Sequence, residues 1–134
     1  MSLVYRVNTP ITREQFEGIL YASGLAERRP IHDAARLQRM LDHANLTLTA
    51  WDGERLVGIA RALTDWSFCC YLSDLAVDKE YQRRGIGREL IERMQALIGE
   101  DVMLLLVSAP AAMDYYPHIG MEKMKRAWYV PRRS

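Results

Sequence analysis

The segment from Leu75 to Leu90 combines residue types that can bind an anion. Gly85 and Gly87 carry no side chain, so the backbone beside them can approach a ligand closely. The apolar spacing after Gly87 predicts a helix, whose free N–H groups and dipole favour negative charge at its start. Fixed positive charge comes from three arginines: Arg83, Arg84 and Arg88. The segment therefore predicts a site for a phosphate or pyrophosphate group.

Two common phosphate-binding motifs do not fit this segment. A P-loop requires the pattern G-x-x-x-x-G-K-[ST], which is absent. A dinucleotide-binding fingerprint requires G-x-G-x-x-G soon after a strand. Here seven residues separate Val77 from Gly85, and Leu90 stands at the position of the third glycine. The predicted anion site therefore belongs to another class.

Two sequence blocks together resemble a known family. Gln82-x-x-Gly85-x-Gly87, following the Leu75-x-Val77 strand, resembles the acyl-CoA loop of the GNAT superfamily of N-acetyltransferases, whose pattern is [QR]-x-x-G-x-[GA]. The block Ala112-x-x-Tyr115-Tyr116-Pro117-x-x-Gly120-Met121 is similar to the family segment A-x-x-[FY]-Y-x-x-x-G-[FM]. The resemblance covers roughly residues 46–130. It implies a small, bacterial-type member that takes acetyl-CoA as acyl donor and needs no metal.

The resemblance also assigns roles to individual residues. Backbone groups of one strand would pair with the pantetheine arm of CoA, and the matching residues are Leu75, Ala76 and Val77. The loop and helix start would hold the pyrophosphate, and the matching residues are Gln82, Arg83, Arg84, Gly85, Ile86, Gly87 and Arg88. Asp114 and Tyr115 would line the arm near the thioester. Tyr116 would be the general acid that protonates the CoA sulfur while an amine attacks directly in a ternary complex.

The group that removes a proton from the amine is open at this point. Asp74 is the acid nearest the matched strand, and it is either the base or a structural hydrogen-bond partner. Strand alternation places it on the face opposite Tyr71 and Ser73, unless a bulge shifts the parity. Some family members carry a carboxylate where Ser73 or Tyr71 stands here. Asp65, or an ordered water without a dedicated base, is the remaining alternative.

The acceptor is an amine of a small molecule or of a protein: a small amine, a polyamine, an antibiotic, a protein N-terminus or a lysine. Its pocket is expected among Trp51, Trp66, Tyr71 and residues 28–33. The alternative function is a non-catalytic module that binds or senses acyl-CoA. Homodimers are common in the family, so a homodimer is an expectation from the resemblance.

The surrounding pattern predicts an α/β (α+β) domain with a mixed, mostly antiparallel central sheet and flanking helices. The order is β-α-α-β-β-β-α-β-α-β. Thr12 with Gln15, and Asp33, are predicted helix N-caps, and Asp52-Gly53 predicts a hairpin. Strands are predicted at 4–8, 46–50, 56–63, 69–77, 103–107 and 125–130. Helical segments are predicted after Thr12, after Asp33, at 87–98 and at 112–119.

Composition agrees with one domain over residues 1–134. The chain has 18 Lys and Arg against 17 Asp and Glu, a net charge of +1, which disfavours a nucleic-acid-binding protein despite the basic end with Trp128 and Tyr129. No apolar run reaches the ~18 residues of a membrane span, and no signal peptide is evident. Cys69 and Cys70 are adjacent, which suits neither a disulfide framework nor a metal site. We therefore expect a cytoplasmic protein without membrane or nucleic-acid partners.

Overall fold

A computed structural model of the chain describes residues 2–133. Within that range, five strands form one sheet in the order β1-β2-β3-β4-β5. The strands are Val4–Val7 (β1), Leu46–Asp52 (β2), Arg55–Thr64 (β3), Cys69–Val77 (β4) and Met103–Leu106 (β5). The helices are Arg13–Ser23 (α1), Ala34–His43 (α2), Ile86–Ile98 (α3) and Tyr115–His118 (α4). Single turns of 3₁₀ helix lie at Leu25–Arg28, Lys79–Tyr81 and Pro110–Ala112.

Local side-chain chemistry sets where the helices begin. The Gln15 N–H donates to the hydroxyl of Thr12 at 3.0 Å, and the Thr12 N–H donates to the Gln15 side chain at 2.8 Å. This is the predicted capping box. Asp33 accepts from the N–H of Arg36 at 3.0 Å, which confirms the cap of α2.

The sheet is mixed and mostly antiparallel, as predicted. The pairs β1–β2, β2–β3 and β3–β4 are antiparallel, whereas β5 pairs parallel with β4. The Asp52-Gly53 hairpin joins β2 to β3, and α3 carries the chain over the sheet from β4 to β5. This crossover gives β4 two different neighbours, an antiparallel one along its full length and a parallel one along only its first half.

Apolar residues fill both faces of the sheet. On one face α3 packs through Leu90 and Met94, and on the other α1 packs through Phe16 and Leu20. β3 contributes to both cores, because Ile59 packs on the α1 side and Ala60 packs on the α3 side. The sheet is therefore a rigid layer with a core on each side.

The prediction of a strand at 125–130 is wrong. Residues 122–133 form no regular structure, and Trp128 is 96% exposed. A strand is stable when it pairs with the edge of another strand and buries one of its faces. This basic segment does neither. The predicted helical segment at 112–119 is instead a 3₁₀ turn, Pro110–Ala112, followed by α4.

Candidate active site

A gap opens between the two parallel strands β4 and β5. Their pairing runs from Cys69 opposite Met103 to Leu72 opposite Leu106, and there it stops. β4 continues to Val77 and keeps its antiparallel pairing with β3 to that point. Residues 73–77 therefore have an open edge on the β5 side. The predicted strand residues Leu75, Ala76 and Val77 all lie on this open stretch.

The predicted anion-binding loop follows the open stretch and leads into α3. Arg83 and Gly85 have positive φ angles of 65° and 80°, and these two residues turn the chain into the helix. Gly85 is the N-cap of α3 and provides no side-chain cap. The first N–H groups of the helix are thus not capped by the residue that precedes them, and the helix dipole adds partial positive charge there. A Cβ at Gly85 would meet no atom within 4 Å, so the loop faces open space.

Side chains of the loop contact the elements beside it. The side-chain amide of Gln82 donates to the carbonyl of Val77 at 3.0 Å, which ties the loop to the end of β4. The guanidinium of Arg84 lies 5.0 Å from the centre of the Tyr81 ring. Arg88 forms an ion pair with Glu92 at 2.9 Å along α3. Among the predicted arginines, Arg88 is therefore directed along the helix surface.

Tyr115 covers the start of α3. A Cβ at Gly87 would lie 3.0 Å from the Tyr115 hydroxyl, so glycine is what allows this tyrosine to come so near. Tyr115 is 37% exposed, and its ring meets the ring of Tyr116 edge-on, with 5.2 Å between the ring centres. Asp114 precedes both tyrosines as the exposed N-cap residue of α4 and makes no capping hydrogen bond. The second sequence block thus lies directly against the first.

A cavity of about 580 Å³ occupies the gap between β4 and β5. Ser73 and Leu75 of β4 line one side, and Leu106 and the residues after it line another. Tyr116 reaches this cavity while its ring packs against the core beneath α3. Burial raises the pKa of the Tyr116 hydroxyl above its ordinary value near 10, and Tyr115 raises it further. The hydroxyl is therefore a protonated donor at neutral pH.

Pro117 removes no hydrogen bond from α4. α4 is only four residues long, and Pro117 is its third residue. N–H groups in the first turn of a helix have no intrahelical acceptor, so the missing N–H of proline breaks no helix bond.

Asp74 lies beneath the cavity rather than on its wall. It is 0% exposed, and its two carboxylate oxygens accept from Arg29 and Arg61. Arg29 also donates to the Ser73 carbonyl at 2.8 Å, and Arg61 donates to the Met40 carbonyl at 3.0 Å. This arrangement favours the structural alternative for Asp74, because both oxygens already have charged partners.

A bulge at Ser73 changes the expected parity of β4. Asp74 pairs with Arg61, but Leu72 pairs with Ala62, so Ser73 has no partner on β3. Leu72 and Leu75 consequently both contact the α3 core, although three positions separate them. The bulge is the exception under which strand alternation no longer places Asp74 opposite Tyr71. Tyr71 lines the cavity.

The side chain of Asp65 stabilises the turn between β3 and β4. One of its carboxylate oxygens accepts from the N–H groups of Ser67, Phe68 and Cys69 at 2.8–3.0 Å. These backbone hydrogen bonds lower the pKa of Asp65 to about 2, so it stays ionised and binds a proton poorly at neutral pH. Asp65 is also absent from the cavity wall in residues 2–133.

The cavity contains some of the residues expected to form an acceptor pocket and several unexpected ones. Tyr71 and the predicted segment contribute, the latter through residues 28–30. Trp51 is 5% exposed within the fold, and neither it nor Trp66 lines the cavity. The sequence reasoning missed the pair of Arg61 and Asp74. Arg61 interrupts an apolar run of β3, and Asp74 is the single charged residue of β4. A charged residue within an apolar stretch implies a buried partner of opposite charge.

The described residues also give two negative findings. Over residues 2–133, no helix is both long enough and apolar enough to cross a membrane. In the same range, no cluster of three or more His, Cys, Asp or Glu side chains is arranged to hold a metal ion.

Comparison with known proteins places this geometry in a family. The sequence model of the Acetyltransferase (GNAT) family matches residues 11–121. The chain belongs to the GNAT family of acetyltransferases. The family named from the loop and tyrosine blocks is thereby confirmed.

A GNAT relative of known sequence and two solved GNAT structures extend the comparison. The GCN5-related N-acetyltransferase 2, chloroplastic, of Arabidopsis thaliana is 36% identical over 78 residues, which are 53% of this chain and 30% of that protein. The chain thus spans less than a third of that relative. The GNAT family protein SP0256 of Streptococcus pneumoniae has a TM-score of 0.77 at 21% identity, covering 98% of this chain and 99% of that one. The aminoglycoside N-acetyltransferase AAC(6')-Iy in complex with CoA has a TM-score of 0.71 at 17% identity, covering 99% and 96%. These structures share the fold, which confirms the predicted architecture.

Proposed function

We propose that the protein is an acetyl-CoA-dependent N-acetyltransferase that acetylates a primary amine by direct attack. One observation carries the proposal: the open edge of β4 at residues 73–77 joins the glycine loop at one end and the cavity with Tyr116 at the other. An extended pantetheine arm can add to such an edge as a strand would. The family membership and the CoA-bound structural neighbour support the same donor.

The loop residues fit a pyrophosphate group. Gly85 opens the start of α3 to solvent, and Arg83 adds positive charge beside it. Backbone N–H groups at a helix start bind phosphate through both their direction and the dipole. Residues 73–77 would then hold the pantetheine arm, and Tyr115 would lie between the two because it covers Gly87.

Tyr116 would protonate the leaving sulfur. Acetyl-CoA supplies the acetyl thioester; the amine nitrogen forms a bond to its carbonyl carbon as the C–S bond breaks, and the phenol proton passes to sulfur. The Tyr116 phenolate then regains a proton from water, which takes up the amine proton. A phenol with pKa near 10 and a thiol with pKa near 8.5 differ by roughly 2 kcal/mol at 1.36 kcal/mol per unit. Burial raises the pKa of Tyr116 and enlarges this difference. The proton must therefore move together with C–S cleavage rather than before it.

The amine proton would leave through water. Asp74 is occupied by two arginines, and Asp65 holds a turn. Among residues 2–133, Glu27 is the one carboxylate on the cavity wall, where it can pass the proton to solvent. No cysteine in that range lines the cavity, which supports direct attack over an acyl-enzyme route. The aminoglycoside acetyltransferase neighbour and the size of the cavity support a small-molecule amine.

Calorimetric titration of acetyl-CoA at ~0.15 M salt tests the donor site. We expect one site of micromolar affinity. Gly85→Ala places a Cβ in front of the helix start and strains a residue with φ of 80°, and Gly87→Ala displaces Tyr115. Each should weaken binding at least ~10-fold, about 1.4 kcal/mol. The matched control is Gly18→Ala on α1, where a Cβ meets nothing within 4 Å, and its affinity should equal that of the wild type.

Two outcomes would contradict the proposal in different ways. Absence of binding at millimolar acetyl-CoA would remove the donor site altogether. Tight binding without release of CoA for any amine would instead favour the non-catalytic acyl-CoA module. The observation that favours this second function is the pair of ion pairs that Asp74 forms with Arg29 and Arg61.

A further inference from the structure

The wall of the cavity is strongly cationic. Among residues 2–133, the charged side chains that line it are one glutamate, Glu27, and five arginines: Arg28, Arg29, Arg36, Arg61 and Arg132. Asp74, buried beneath the wall, offsets one further charge. An excess of three positive charges therefore faces a cavity of about 580 Å³, which is large enough for a small molecule.

The guanidinium groups of three of these arginines are not held by other parts of the described chain. Arg29 and Arg61 are fixed by Asp74 and by backbone carbonyls. In the described part of the chain, the guanidinium groups of Arg28, Arg36 and Arg132 make no ion pair or hydrogen bond, although the backbone of Arg28 and Arg36 does. Guanidinium groups turned towards a cavity without a carboxylate partner are available to a ligand.

The positive charge is separate from the predicted pyrophosphate loop. None of residues 82–88 lines the cavity. Arg28 ends the 3₁₀ turn at Leu25–Arg28, and Arg36 lies in the first turn of α2, whereas the loop precedes α3. The free arginines therefore lie on the acceptor side of the gap, and the donor phosphates have their own site.

We propose that the acceptor is a primary amine that also carries an anionic group, a carboxylate or a phosphate, and that Arg28 and Arg36 bind this group. The proposal rests on the N-acetyltransferase function. Both arginines are donors that match the oxygens of either anion. A polycationic amine would be repelled by the same wall.

The cationic wall also helps the reaction. Attack requires a neutral amine, and nearby positive charge lowers the pKa of a bound ammonium group. An acceptor held by its anionic end would thus lose its proton more readily in this cavity than in water. This removes the need for a dedicated carboxylate base, in agreement with the engagement of Asp74 by two arginines.

A matched series of four amines tests the proposal. The series is 4-aminobutyrate, 3-aminopropylphosphonate, 4-amino-1-butanol and 1,4-diaminobutane, which differ in the charge of the far end. Their dissociation constants are measured by calorimetry on protein saturated with CoA, where no turnover occurs. We expect one of the two anionic amines to bind at least ~10-fold tighter than the alcohol, the size expected for a charge-assisted hydrogen bond, and the diamine to bind weakest. Which anion binds tighter identifies the carboxylate or the phosphate as the ligand chemistry.

Variants on α2 give the control. Arg36→Gln should remove the ~10-fold preference for the anionic amine, and Arg36→Glu should shift it towards the diamine. Arg39→Gln removes the same charge from the same helix at an exposed position outside the cavity wall, and its preference should stay that of the wild type. A merely structural role for Arg36 would not reverse a charge preference.

The failure of this inference differs from the failure of the proposed function. Equal or tighter binding of the alcohol or the diamine, or equal effects of Arg36→Gln and Arg39→Gln, would overturn the anionic acceptor. If acetyl-CoA binds and a neutral or cationic amine is acetylated, the enzyme function stands while this inference falls. If acetyl-CoA does not bind the same preparation, both fall.

Discussion

Asp74 joins two arginines that come from different parts of the chain. Arg29 follows the 3₁₀ turn after α1, and Arg61 belongs to β3 and is 4% exposed. The carboxylate thereby fixes the segment at residues 28–30, which borders the cavity. A buried charge that loses its partner is strongly destabilising, because it was removed from water in exchange for that partner.

Asp74→Asn should therefore lower the free energy of unfolding by roughly 3–5 kcal/mol, measured by urea denaturation. The matched control is Asp101→Asn, an exposed position where we expect a change below about 0.5 kcal/mol. If Asp74→Asn instead unfolded like the wild type but lost turnover, Asp74 would be the catalytic base and its structural interpretation would be wrong.

Tyr116→Phe removes the proposed acid while keeping the ring that packs beneath α3. We expect kcat to fall at least ~100-fold, the lower range for general acid catalysis, with acetyl-CoA affinity unchanged within about twofold. The control is Tyr21→Phe on the exposed side of α1, which should leave kcat unchanged. Because the pKa of Tyr116 is raised, any decline of the wild-type rate from loss of this proton should begin at a higher pH than for an ordinary tyrosine. An unchanged kcat in Tyr116→Phe would assign the acid role elsewhere.

At the level of elements, α1 offers a direct test of helix propensity. Gly18 lies exposed in its middle, and a Cβ there meets no atom within 4 Å. Gly18→Ala should raise stability by ~0.5–1 kcal/mol and Tm by about 3 °C, measured by thermal unfolding. The reverse change, Ala22→Gly on the same helix, should lower Tm by a similar amount. A decrease for Gly18→Ala would mean that this turn of α1 is not regular helix.

The turn between β3 and β4 should make stability depend on pH through Asp65. Its folded pKa of about 2 lies below the unfolded value near 3.9, so its contribution is complete above the unfolded pKa and is lost as the pH falls towards 2. Asp65→Asn should lower Tm at pH 7, and the difference from the wild type should shrink between pH 4 and pH 2. Other carboxylates titrate in both proteins and cancel. A difference that stayed constant over this range would contradict the carboxylate cap.

Helix starts, strand periods and the glycine loop could be predicted because each depends on neighbours in sequence. The caps formed by Thr12 and Asp33 are of this kind. The bulge at Ser73 could not be predicted, since it depends on which residues of β3 lie opposite. The cationic wall likewise requires residues from the turn after α1, from α2, from β3 and from the tail to meet, and only the folded chain brings them together.

For the whole molecule, one sheet shared by two cores predicts cooperative unfolding. Leu20 lies in the core under α1 and Leu90 in the core under α3, and both are fully buried. Leu20→Ala and Leu90→Ala should each lower the free energy of unfolding by about 3 kcal/mol. Far-ultraviolet circular dichroism and tryptophan fluorescence should report the same midpoint in each variant. Separate midpoints would show that the two faces unfold independently.

The parallel pairing of β4 with β5 imposes an order on folding. β2, β3 and β4 follow one another through short turns, so their pairing closes only short loops. β5 reaches β4 only after residues 78–102, with α3 among them, have crossed the sheet. Until that moment all of β4 presents an unpaired edge, and such an edge pairs readily with other chains. The strand that the acyl donor would use is thus open to aggregation during synthesis.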